Sequence, residues 1–148
     1  MSNVTQNLSK WEAESGVSGI TTASLLVVTL VGTAMGGLTG LALEGIVKPL
    51  AVAILAGLVG TVVAGLVRNT LLVSAWGAAG IEDVGTPAVV ISYAAVASLA
   101  GSLSAFQIMS ASAAPTWPPL TGALAGLLSA GLMGLLIVTY RMQPRRQE

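Results

Sequence analysis

Apolar positions fall into four long stretches along this chain, separated by short polar or proline-containing breaks. The first stretch, about residues 20–43, reads "ITTASLLVVTLVGTAMGGLTGLAL" and carries no charge before Glu44. A helix needs about 20 residues to cross a hydrocarbon core of about 30 Å. The stretch is therefore long enough to span a bilayer. Lys48 follows Glu44 by four places and would pair with it if the helix continued that far.

The second stretch, about 49–67, opens at Pro49, a residue suited to the first turn of a helix, and is closed by Arg68. "NTLLVSAWGAAG" comes next, apolar but too short for a further span. It either extends the second helix or lies in the interface, with Trp76 at headgroup level. The breakers Gly80, Gly85 and Pro87 around Glu82 and Asp83 mark a loop. A third span covers about 87–113 and a fourth about 119–140, joined by "APTWPPL" with Trp117 as an interfacial anchor.

The expected fold is thus an all-α integral membrane protein, a compact bundle of four transmembrane helices over residues 20–140. A polar segment precedes it at 1–19 and a basic tail follows at 141–148. In the leading segment Ser9 and Glu12 have capping-box spacing, and Val4, Leu8 and Trp11 recur at i, i+4, i+7. Those residues fit two readings, a helix lying on the membrane surface and a disordered tail.

Composition sharpens the class. Charged residues make up 8% of the chain against about 25% in an ordinary globular domain, while hydrophobic residues reach 54%. So little charge cannot clothe a soluble core. The chain holds no cysteine and no histidine, which excludes disulfides, cysteine-ligated metals and histidine-ligated groups. No cofactor is expected. Lysine plus arginine balances aspartate plus glutamate, six against six, so nothing in the charge points to nucleic acid. Four spans place Lys10, Arg68, Arg141, Arg145 and Arg146 on one side and Lys48 on the other. The positive-inside rule then makes that first side, with both termini, cytoplasmic, in an inner-membrane setting.

Small residues recur at helical spacing in every span: Gly32, Gly36 and Gly40; Ala56, Gly60 and Ala64; Ala97, Gly101 and Ala105; Gly122, Gly126, Ala130 and Gly134. "GTAMGGLTG" is no phosphate loop, since no preceding strand and no following lysine accompany it. In lipid, small side chains let backbones approach and gain van der Waals contact, so these stripes read as helix-packing faces. They would serve the bundle, seams with copies of itself, or contacts with other membrane subunits.

An internal repeat is also visible. A shift of 69 places sets Pro49 on Pro118, the run "LAGL" on itself, and "VVTLVGT" on "VASLAGS". The reading is two tandem helical hairpins related by an axis along the membrane normal. Two such hairpins resemble rotary-ATPase proteolipids in outline, but no carboxylate stands at mid-span here and nothing is carried over from that family.

Chemistry within the spans is sparse. Glu44, Lys48, Arg68 and Arg141 all fall at expected span ends, where snorkelling or interfacial pairing accounts for them. The third helix is the most polar, with Ser98, Ser102, Ser104 and Gln107 expected to form one polar face. Interhelical hydrogen bonding explains such residues at about 0.6 kcal/mol each. No serine has a visible activating base, so no enzyme is expected. The leading function is a non-catalytic accessory or structural subunit surrounded by lipid, other membrane subunits or copies of itself. The alternative is a channel, a holin-like pore former or a small-solute transporter.

Overall fold

The computed structural model describes residues 2–76, 87–112 and 117–141. Within them the chain forms four helices, α1 (Ser2–Ala42), α2 (Pro49–Trp76), α3 (Pro87–Ala111) and α4 (Pro118–Arg141). Each contains an apolar window long enough to cross a membrane: Thr22–Ala42, Pro49–Leu71, Ile91–Ala111 and Pro118–Ile137. The protein is a four-helix, multi-pass membrane bundle. The loop acids Glu82 and Asp83, and Arg145 and Arg146 of the tail, lie outside the described residues.

Three of the helices start at a proline, Pro49, Pro87 and Pro118. Proline's fixed φ suits the first helical position, and its missing N–H is one that would have had no partner there. α1 stops at Ala42, and Gly45 at φ 73° turns the chain through a left-handed conformation that only glycine adopts without strain. The helix therefore ends before Glu44 and Lys48. The i, i+4 geometry that would have paired them does not form, and both side chains are exposed.

One boundary differs from the sequence reading, and one falls on the first of its two alternatives. Residues 2–19 continue α1 without a break and form no separate element. α2 runs on past Arg68 through "NTLLVSAW" to Trp76, because nothing in that run breaks a helix.

Among the described residues α1 touches α2 and α4, α3 touches the same two, and α2 touches α4, while α1 and α3 do not meet. The cross-section is a rhombus with α2 and α4 on the short diagonal. Neighbouring positions fix the directions. Gly32 and Gly40 lie against Gly126 and Pro118, so α4 runs opposite to α1, and Gly60 beside Gly32 with Arg68 bonded to Ser24 sets α2 opposite to α1 as well.

The shift of 69 reappears in three dimensions. Val52 N–H donates to Lys48 O at 3.1 Å, and Thr121 N–H donates to Trp117 O at 3.0 Å. Thr33 Oγ1 donates to Thr29 O at 2.6 Å, and Ser102 Oγ donates to Ser98 O at 2.6 Å. Gly60 packs on Gly32 as Ser129 packs on Gly101. The Gly60–Gly32 and Ser129–Gly101 contacts stand at equivalent places under that shift, whereas bonds to the carbonyl four residues back are common to all four helices. Symmetry fails where α1 carries Gly36 and Gly40 while α3 carries Ala105 and Met109. With those larger side chains, α3 is in less extensive contact with α2 than α1 is with α4.

Candidate functional site

Every small residue assigned above to a packing stripe is buried: Gly32, Gly36 and Gly40 in α1, Ala56, Gly60 and Ala64 in α2, Ala97, Gly101 and Ala105 in α3, and Gly122, Gly126, Ala130 and Gly134 in α4. The closest approach is a junction of three helices. A Cβ on Gly60 would stand 2.9 Å from Gly32 O and 3.1 Å from Gly126 Cα. One on Gly36 would stand 2.9 Å from Gly126 Cα and closer still to Gly122 O, and one on Gly126 would overlap Gly32 O. These obstacles are backbone atoms, which cannot swing aside as a side chain can. Gly37, one residue from Gly36, faces Ala123 Cβ at an ordinary 3.5 Å.

A second set of contacts is polar and lies toward α3. Ser98 O accepts hydrogen bonds from both Ser102 Oγ, at 2.6 Å, and Ser129 Oγ, at 3.1 Å. Thr61 Oγ1 donates to Gly57 O at 2.7 Å. These hydroxyls are buried and are spent on backbone carbonyls, which is how serine and threonine are satisfied where water is absent. Gly57 makes room for them: a Cβ there would meet Ser102 Oγ and lie 2.7 Å from Ser129 Oγ. Ser129→Ala is therefore expected to cost no more than about 0.6 kcal/mol, the typical worth of such a bond in a bilayer. Gly57→Ala should cost several times as much, because it drives both hydroxyls from their acceptor. Unfolding of the purified variants in a detergent titration reads the difference.

The expected single polar face of α3 does not exist. Ser98 and Ser102 point into the bundle, whereas Ser104 and Gln107 are exposed on the other side of the helix. Ser110 is exposed beside them. At 3.6 residues per turn, Ser104 and Gln107 lie about 140–160° round from the mean direction of Ser98 and Ser102. Neither Ser104 nor Gln107 makes a side-chain hydrogen bond among the described residues.

Arg68 is the residue whose place the sequence obscures most. It does not reach outward to an interface; it is 3% exposed and turned into the bundle toward α1. Its Nε donates to Ser24 Oγ, and its Nη1 donates to Asn69 Oδ1 at 3.1 Å. Ser24 is itself buried, at 4% exposure. The two residues lie at the same end of the bundle, Arg68 three residues inside the apolar window of α2 and Ser24 two residues inside that of α1. Ionisable groups within spans face the protein interior because hydrocarbon offers them no partner. The only signal available in the sequence was that apolar residues resume after Arg68, which marks it as internal to a helix.

No family model, no curated protein and no solved structure matches this chain.

Proposed function

We propose that this protein is a non-catalytic accessory or structural subunit that assembles within the bilayer, with other membrane subunits or with copies of itself, and needs no cofactor. One observation carries the reading. The interior is closed by backbone contact between glycines, while α3 presents Ser104, Gln107 and Ser110 to the outside within or at the end of its span. Hydrogen-bonding groups aimed away from the bundle at membrane depth favour a protein neighbour over lipid. The basic residues support a cytoplasmic membrane with both termini cytoplasmic.

The channel reading draws on the same face in a different way. The α1–α2–α4 junction is closed by backbone contact, and Gly57 and Gly101 are packed against Ser102 and Ser129 on the α3 side, which favours a pore between protomers, lined by α3, over one within the bundle. Liposomes carrying the purified protein separate the two, since a pore releases trapped ions and an assembly subunit leaves the vesicles tight.

The direct test is gentle extraction of the tagged protein from its native membrane, followed by native electrophoresis and mass spectrometry of the intact band. The expected result is an assembly of fixed composition. A monomer unaccompanied by other protein would overturn the proposal.

A further inference from the structure

We infer that the outer face of α3 is the contact surface for a second copy of this chain, with Gln107 meeting its own counterpart across a two-fold axis along the membrane normal. The inference rests on the assembly reading above and names the partner.

α1 supplies an internal control for α3. The shift of 69 places that relates the hairpins sets Gln107 on Leu38 and Ser110 on Leu41. Both leucines are exposed, at 58% and 56%, on the outward side of α1. Two helices of one protein, at equivalent positions and facing outward, thus carry opposite chemistry. Leucine is what a lipid-facing position takes. A primary amide and a hydroxyl at the same places on α3 are costly to leave in hydrocarbon unless something there hydrogen-bonds to them. Gln107 lies four residues inside the end of the α3 apolar window, about 6 Å along the helix.

A second copy fits this face by its chemistry. The glutamine amide donates and accepts, so two of them brought together by a two-fold axis can satisfy each other. The face carries no charge that would repel a copy of itself. Copies in one membrane share an orientation, so a parallel pair of α3 helices brings Gln107 to Gln107 at the same depth without any adjustment. Ala100, Ser104, Gln107 and Ala111 are all exposed and succeed one another at steps of four, three and four. That is the seam spacing of a left-handed helix pair, with small residues on either side of the polar one allowing close approach.

The chain contains no cysteine, so single replacements give unambiguous cross-links. Ser104→Cys, Gln107→Cys and Leu38→Cys, each in the full-length protein in native membranes, are exposed to a membrane-permeant oxidant and resolved on a non-reducing gel. A disulfide-linked dimer is expected from Ser104→Cys and Gln107→Cys and not from Leu38→Cys, which reports random collision. Ser104→Cys changes side-chain volume little, so its fold is not at issue. Equal dimer from Leu38→Cys, or none from either α3 position, would overturn the inference. Cross-linking of the α3 positions to a foreign subunit alone would also overturn it, while leaving the assembly reading intact. A monomeric native mass with no cross-link would remove both.

Discussion

Gly126→Leu is expected to leave the protein unable to close its bundle, and Gly36→Leu to do the same. Both residues sit where α1 and α4 approach backbone to backbone, and a Cβ at either would overlap a carbonyl oxygen of the facing helix. Insertion of a single extra methylene into a packed core commonly costs about 1–3 kcal/mol through forced shifts. Here even alanine meets main chain, and relief requires the two helices to separate along their length. Separation forfeits the contacts that hold helices together in lipid, because apolar tails offer no hydrophobic drive to restore them. Gly36→Ala should already lower the unfolding midpoint, whereas Gly37→Ala, whose Cβ would sit at 3.5 Å from Ala123 Cβ, should leave it close to wild type. Gly131→Ala, with Thr29 Cγ2 at 3.8 Å, is a second harmless control. Monodispersity in size exclusion and helix melting by circular dichroism supply the readout. An unperturbed Gly36→Ala beside a perturbed Gly37→Ala would mean that α1 is rotated from its described position.

That contrast between adjacent glycines shows which part of the fold was legible in the chain. Helical periodicity is local, so the spacing of Gly32, Gly36 and Gly40 placed them on one side of α1, and four uncharged stretches of sufficient length defined the spans. Which stripe would meet which was not local. Nothing in "GTAMGGLTG" says that its closest neighbour is α4, about ninety residues on, with α2 closing the third side. The two polar faces of α3 were legible and misread. The 100° step between residues already separates Ser98 and Ser102 from Ser104 and Gln107, but hydrophilicity along a single helix was read as a single surface.

Arg68 supports the second large expectation. A charge in an apolar run marks the end of a span when water or headgroups are the nearest partners, and that rule placed Arg68 at a boundary. The fold supplies a nearer partner. Ser24, distant in sequence, comes within hydrogen-bond reach because α1 and α2 run antiparallel through the glycine contact of Gly32 and Gly60. A hydrogen bond to a charged group is worth about 1.5–3 kcal/mol, more than a neutral one, since desolvation of the charge is at stake if the bond is lost. Ser24→Ala is therefore expected to destabilise the bundle by about 1.5–3 kcal/mol, well above the cost anticipated for Ser129→Ala, although each removes one serine hydroxyl. Arg68→Met keeps much of the side-chain length without the charge, and in that background Ser24→Ala should cost little. The four proteins form a double-mutant cycle whose coupling energy isolates the pair from the bond of Arg68 to Asn69. Arg68→Lys should not restore the coupling, because an ammonium cannot present an Nε donor sideways while its tip reaches elsewhere. A coupling near zero would instead place the guanidinium among the headgroups, with its stem alone buried, and would return Arg68 to the boundary role that its position in the sequence suggests.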